Sequence, residues 1–538
     1  DRAEIENLPE LQTAHARMLI SAPDPPLRVQ SLTLSPPTLE DQRTDEERLL
    51  EVLDEDRWSG EPALTADYRN RKPAMTADLL RELPSVLREH EFRISLLRSE
   101  RRLYRILPGA QSLQLGIAVD IGTTSLAVYL LHFESGELLG SLSRRNRQAS
   151  FGGDVISRIS AFPEQGERMR RSLIEQIEEM ADELTREFTA EDGTTDQVAA
   201  ICAAGNTVML HLLTGLDPTG IGEAPFIPVS TAYRELSAEE AGFSSLRCPL
   251  MLLPSVSGYI GSDITAGVVA SGMHEHEETA LLIDIGTNGE IVLKRAGEYF
   301  ACSAAAGPAF EGAGIACGMG FDQGAVEAVG YGDEGMHYSV VGGVAPKGLC
   351  GSGILDSAAA LLDAGWAEPT GRMLSEAEIR DEELEMGGST RIIEAAGEPQ
   401  LLFASNGQDT VYFSQRDMRQ VQNAKAAVAA GIRTLLLETG VEPEEVEKVY
   451  LAGGFGSFLR PESAVRIGMI PSEMEKRIEQ MGNTAGKGAV MALLSRERLR
   501  RIDEVSHSIR YIELSSDKRF MELYVDEMFF PESRGGKR

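Results

Sequence analysis

The sequence contains no apolar run near the ~20 residues that a membrane-spanning helix requires. Its first twenty residues carry Asp, Glu and Arg throughout, so no secretory leader is visible there. Basic character is also lacking: 84 acidic against 52 basic residues leave a formal net charge of -32. That balance argues against non-specific contact with nucleic acid or with an anionic membrane face. An anionic ligand must instead be held locally, by backbone N–H groups, a metal ion and a few placed cations. Cysteine is sparse. Cys202, Cys248, Cys302, Cys317 and Cys350 are odd in number and show no C-x-x-C spacing. This usage offers no zinc or iron–sulfur framework, fits a reducing cytoplasm, and predicts small buried thiols. The eight histidines form no metal motif, and His274 and His276 are expected in an acidic, solvated loop.

What is present is a globular composition, 42% hydrophobic and 25% charged over 538 residues, enough for about two to four domains. The chain starts at Asp1 and not at Met, so a preceding segment is expected. Residues 1–27 end in Pro23-Asp24-Pro25-Pro26 and read as a linker. Residues 28–112 read as a small α/β domain. Within it, Thr38-Leu39-Glu40-Asp41 is expected to cap an amphipathic helix carrying Leu49, Leu50 and Leu53. Ile94–Leu97 and Leu103–Leu107 read as strands, and Arg98, Arg101, Arg102 and Arg105 as a solvated face.

From residue 113 the pattern changes. The run Gly116-Ile-Ala-Val-Asp120-Ile-Gly122-Thr123-Thr124 is echoed by Leu281-Leu-Ile-Asp284-Ile-Gly286-Thr287-Asn288. Each copy is an apolar strand, an acid at its end, and a Gly-Thr turn into a second strand. Four matching residues alone are weak, but their surroundings recur in order. Hairpins are marked at Gly136 and Gly297. An amphipathic helix in each half leads to a strand, Val198–Ala204 before Gly205-Asn206 and Val449–Ala452 before Gly453-Gly454-Phe455. A duplicated lobe is expected, residues 113–275 and 276–538.

A glycine at a hairpin bend lets backbone N–H groups face phosphate oxygens, with threonine hydroxyls as further donors. An acid at the strand end can hold the water shell of Mg²⁺. For a single copy, a structural hairpin is the simpler reading; two copies in matched context favour phosphate binding. Lys425 shares a helical face with Met418, Val421, Val428, Ile432 and Leu435, so it needs a polar partner or must reach solvent from the helix edge. Glu290, Glu311 and Asp263 read equally as structural and as catalytic groups.

The two hairpins and the Ala452–Gly456 loop resemble the phosphate and adenosine motifs of the actin, Hsp70 and sugar-kinase superfamily. The resemblance implies ribonuclease H-like lobes that close on Mg-ATP, with Asp120 and Asp284 holding Mg²⁺ through water and orienting the attacking water. It implies nucleotide contacts from Gly122, Thr123, Thr124, Gly205, Asn206, Gly286, Thr287, Asn288, Glu311, Gly453, Gly454 and Phe455, and ribose contacts from Gln422 and Lys425. Longer stretches are similar to the reductive activators of corrinoid-dependent enzymes: Gly205–Met209, Pro254–Asp263, Ser303–Ala313, Gly348–Gly353, and Gly152–Ile159 after Asn146 and Gln148.

That family implies ATP-driven return of a corrinoid protein from Co(II) to Co(I), an external or N-terminal electron donor, and a homodimer. Its members usually carry an N-terminal [2Fe-2S] domain; with no cysteine before Cys202, such a cluster is expected only in a segment preceding this chain. A metabolite kinase on the same fold, with Asp263 as base, and an ATP-switched scaffold remain the alternatives.

Overall fold

The computed structural model describes residues 23–55, 74–100, 102–109, 113–188, 195–382, 384, 389–405, 410–453, 459–515 and 517–532. Two compact units emerge, one of residues 1–270 with 485–507, the other of 271–484 with 508–538.

The first unit begins with a three-stranded antiparallel sheet, β1 (Arg28–Thr33), β2 (Arg93–Arg98) and β3 (Leu103–Pro108), in that order. Helices Asp45–Glu55 and Ala77–Glu89 bury Leu49, Leu53, Leu83 and Leu87 against Ile94 and Leu96. The first of these helices starts later than its sequence suggests. Thr44 and Glu47 exchange backbone N–H and side-chain bonds at 2.8 and 3.1 Å, a reciprocal cap. Thr38 instead closes its own turn, accepting from the N–H groups of Glu40 and Asp41, which leaves Asp41 to hold the buried Arg48 at 2.6 Å.

Three of the arginines expected as a solvated face are instead partnered within the chain. Arg102 makes a bidentate pair with Glu240, Arg105 donates to the carbonyl of Asp196, and Arg98 is buried against Gln30. Tyr104 adds a bond to Glu235. These contacts dock the small domain onto the sheet that follows; Arg101 lies outside the described residues.

That sheet comprises β4 (Leu115–Ile121), β5 (Ser125–His132), β6 (Leu138–Arg145), β7 (Val198–Gly205), β8 (Arg234–Ser237) and β9 (Pro249–Leu252), ordered β6-β5-β4-β7-β9-β8. β4, β5 and β6 form an antiparallel meander, while β7 runs parallel to β4 and β9 parallel to β7. The helix Val155–Phe188 covers it, burying Met169, Leu173, Ile177, Met180 and Leu184. It starts well before that periodic stretch because Asp154 caps it, accepting from Ser157 N at 2.7 Å.

In the second unit, β10 (Ala280–Ile285), β11 (Gly289–Arg295) and β12 (Glu298–Ala304) repeat the meander. Two three-stranded sheets are inserted, β13 (Ala325–Gly332), β14 (Gly335–Val340) and β15 (Gly348–Leu349), then β16 (Arg391–Ala395), β17 (Glu398–Ser405) and β18 (Thr410–Ser414). The helix Gln415–Thr439 follows, opened by a Ser414–Asp417 capping box and closed by left-handed Gly440. β19 (Lys448–Ala452), β20 (Ile478–Gly482) and β21 (Ile509–Tyr511) complete the order β20-β19-β10-β11-β12-β21. From β6 to β9 and from β12 to β20 the orders correspond strand for strand. The two halves are one design used twice, as the recurring motifs imply.

The helices Thr484–Leu494 and Arg496–Ser508 return to the first unit, where a single boundary near residue 275 would not place them. Leu493 packs against Gly116, and Arg496 pairs with Asp24.

Four of the five cysteines are buried and Cys317 is half-buried. Burial pushes all five thiols up. His274 departs from the expected solvated loop, its side chain being 6% exposed. Among the described residues no helix is long and apolar enough to cross a membrane.

One close approach recurs. A Cβ on Gly205 would lie 2.7 Å from the carbonyl oxygen of Ile121, and one on Gly453 2.6 Å from that of Ile285. Gly205→Ala is therefore expected to cost about 1–3 kcal/mol through forced backbone shifts. Gly153→Ala, where a Cβ meets nothing within 4 Å, serves as the control; denaturant midpoints of the two variants check this.

Candidate functional site

In the first unit the acid and its turn sit where the parallel strand ends. Asp120 pairs with Ala127 on β5 and with Ala204 on β7, and Ile121 with Gly205. Gly122 has no room for a side chain, since a Cβ would stand 2.6 Å from Ser125 O. Asn206 caps the helix Thr207–Thr214, its Oδ1 accepting from Val208 N at 3.0 Å while its buried Nδ2 has no partner among the described residues. Gly261 packs on Asn206 Cα and on Asp263, bringing the start of the helix Ser262–Ala270 to the same strand ends. Asp120, Gly122, Thr123, Thr124, Gly205, Asn206 and Asp263 are thus gathered at one edge of one sheet.

The carbonyl groups of the first turn are all accounted for. Asn146 Nδ2 donates to Gly122 O at 2.8 Å, Arg158 Nη2 to Thr123 O at 2.5 Å, and Asn146 N to Thr124 O at 2.8 Å. Below Asp120, the Tyr129 hydroxyl is buried with no hydrogen-bond partner among the described residues. Burial first and the Asp120 charge second push its ionisation up, so it stays neutral.

The second turn is different in character. Asp284 pairs with Glu290 on β11 and Ala452 on β19, and a Cβ on Gly453 would meet its Oδ1 at 2.7 Å. Gly286 N donates to Asn288 O within the turn at 2.9 Å. Thr287 Oγ1 donates to Glu311 at 2.9 Å, and Ser303 Oγ to Glu290 at 3.2 Å. Asp284, Gly286, Thr287, Asn288, Glu311 and Gly453 therefore also share one sheet edge, with Glu290 beside them. Gly454 and Phe455 lie outside the described residues.

Gln422 and Lys425 are fully buried, so the reading of Lys425 as a helix-edge lysine reaching solvent does not hold. Their partners belong to the chain's own C-terminal segment. Lys425 Nζ donates to Phe529 O at 2.7 Å, stands 3.8 Å from Glu527, and lies over the Phe530 ring. Gln422 Nε2 donates to Met528 O and Thr370 O at 2.8 and 3.0 Å, while its Oε1 accepts from Arg419. With both amide hydrogens used, a ribose contact donated by Gln422 would require Met528 O or Thr370 O to give way.

Sequence reasoning assigned no role to Asn146 or Arg158. The signal for Arg158 was the one that singled out Lys425, a cation on an apolar stripe: Arg158 is buried on the same helix as Val155 and Ile159. Both are buried because backbone carbonyls receive their charge-bearing groups.

A meander followed by parallel strands, used twice with an acid at the end of each first strand, defines the actin, Hsp70 and sugar-kinase class of α/β protein. Within that class, three family models match consecutive stretches: the RACo linker region at 20–112, the RACo middle region at 115–276, and the C-terminal ASKHA domain of RACo at 278–536. The chain belongs to the RACo family. It is 33% identical over 427 residues to the corrinoid activation enzyme RamQ of Eubacterium limosum, 78% of this chain and 70% of that one. A [Co(II) methylated amine-specific corrinoid protein] reductase of Methanosarcina barkeri is 26% identical over 456 residues, 77% of each chain. A solved reductive activator for a corrinoid, iron–sulfur protein superposes with a TM-score of 0.81 at 33% identity, over 95% of this chain and 80% of that one.

Burial holds the Lys425 ammonium down at about 8, against which the Glu527 charge acts only in part. The group is protonated in both states below that value, and only in the unfolded chain between about 8 and 10.4. Stability of the wild type relative to Lys425→Met should therefore rise with pH across that window, by at most about 3 kcal/mol. Thermal melts of both proteins at a series of pH values check the sign.

Proposed function

We propose that the chain is an ATP-hydrolysing activator that helps return a corrinoid protein from Co(II) to Co(I). The observation that carries this reading is the succession of three RACo family matches, at 20–112, 115–276 and 278–536. The names of two relatives, a corrinoid activation enzyme and a Co(II) corrinoid protein reductase, support the partner class.

The residues at both sheet edges fit Mg-ATP. The first turn has its carbonyl oxygens occupied from behind, which turns its peptide N–H groups the other way, the orientation that suits an anion. The second is lined by Asp284, Glu290 and Glu311, groups suited to a hydrated divalent cation and to orienting water. In this reading Asp120 and Asp284 hold the water shell of Mg²⁺, which supplies charge neutralisation at the phosphates. Thr123, Thr124, Thr287 and Asn288 bind phosphate oxygens, and Gly205, Asn206 and Gly453 line the floor at the strand ends. The domains follow the sequence boundaries proposed above except that residues 485–507 join the first lobe, with residues 28–112 as a docked adaptor, and two copies of the chain associate.

The chain's own cysteines do not offer a [2Fe-2S] ligand set. Among the described residues no group of three or more His, Cys, Asp and Glu could hold a metal ion. The single electron for Co(II) therefore comes, in this reading, from a low-potential donor outside the residues described. Nucleotide binding contributes the energy, because a ligand shifts a conformational equilibrium only by its differential affinity for the two states.

The test combines the chain with Mg-ATP, a low-potential donor and a Co(II) corrinoid protein. Expected are phosphate release stimulated by the corrinoid protein and growth of the Co(I) absorption band that depends on ATP. Asp120→Asn and Asp284→Asn should each lower turnover by about a hundredfold or more with melting temperatures unchanged. Full hydrolysis in both variants, or transfer of phosphate to a small hydroxylated metabolite, would rule the proposal out.

A further inference from the structure

We infer that Arg158 and Asn146 are positioning residues for the nucleotide's phosphates, acting through the backbone of the first turn. The inference rests on the nucleotide reading above and adds to it the device that makes the turn an anion cradle.

A trans peptide is planar, with its C=O and the following N–H pointing in opposite directions. Fixing the carbonyl oxygens of Gly122, Thr123 and Thr124 toward the protein therefore fixes the N–H groups of Thr123, Thr124 and Ser125 the other way. Three successive peptides are held like this, two through Asn146 and one through Arg158. The result is a row of donors with little freedom left to reorganise.

Both residues suit the task by chemistry and by burial. Asn146 and Arg158 are each 0% exposed. Asn146 extends the ladder past β6 with its main chain, caps the next turn through Oδ1 to Gln148 N at 2.9 Å, and spends Nδ2 on Gly122 O. Arg158 divides its planar fork among Thr123 O at 2.5 Å, Gly152 O at 3.0 Å, Met209 Sδ at 3.3 Å and Gln148 Oε1 at 3.5 Å. Lysine, with one nitrogen, cannot meet these directions together. A full charge bonded to Thr123 O also polarises the 123–124 peptide, making Thr124 N–H a stronger donor.

The second turn differs: it consumes the Gly286 N–H internally and is flanked by carboxylates. The geometry thus assigns the anion to the first turn and leaves the second for the cation and water.

The test measures the affinity of adenosine, ADP and Mg-ATP by calorimetry for the wild type, Arg158→Lys and Asn146→Ser, alongside melting curves and steady-state hydrolysis. Both variants should lose about tenfold or more in ADP and Mg-ATP affinity while adenosine stays within about twofold. KM for ATP should rise by more than kcat falls. Asn146→Ser retains a capping oxygen, and so carries the comparison if Arg158→Lys melts early. Equal losses for adenosine and Mg-ATP, or none for either, overturn the inference while leaving nucleotide binding in place. A wild type that binds none of the three overturns the nucleotide reading and this inference together.

Discussion

Each lobe depends on a glycine α-carbon lying against a carbonyl oxygen. Gly205 on Ile121 and Gly453 on Ile285 let the parallel strand end beside the residue that follows the aspartate. A side chain at either position would push the strand away and carry the acid's neighbours with it. The strand pairing around Asp120 and Asp284, the turns beyond them and the helix starts at the same edge all inherit their spacing from this contact. Chemistry near an anion demands such economy, because peptide groups can approach a phosphate only where no Cβ intervenes.

Within that shared frame the halves have diverged electrostatically. The first turn is backed by a buried guanidinium that meets carbonyl oxygens, the second by Glu290 and Glu311 held by Ser303 and Thr287 hydroxyls. A chain carrying 84 acidic residues has little long-range attraction for a triphosphate. In the nucleotide reading proposed above, the anion site is short-ranged, built of fixed dipoles and one sequestered cation, with the acids kept for metal and water.

How much of this was legible in the sequence depended on range. The strands at 115–121, 198–205, 280–285 and 448–452 declared themselves as mainly apolar runs followed by glycine, signals contained within a few residues. The repeated meander followed from them, and so did the gathering of both acid-and-turn units at strand ends. Polar partners did not. Arg102 and Arg105 looked like a wet surface because Glu240 and Asp196 lie far along the chain. Lys425 was readable as a buried cation, yet the Phe529 carbonyl that satisfies it stands 104 residues away. Even the misplaced helix start had a local cause: Thr44-x-x-Glu47 forms the reciprocal cap, and the more prominent Thr38 bends its own turn.

The return of helices Thr484–Leu494 and Arg496–Ser508 bears on how the molecule can be divided. The chain crosses from one unit to the other at 270/271, at 484/485 and at 507/508, so no single scission separates the halves. A fragment ending at the middle region would strip Leu493 from Gly116 and the Gly486 backbone from Tyr129, opening the underside of the sheet that carries Asp120. Its counterpart, beginning near residue 278, would carry those two helices with their greasy faces bare. Dissection of this protein by recombinant expression thus calls for a graft of residues 485–507 onto the N-terminal piece, not a simple cut.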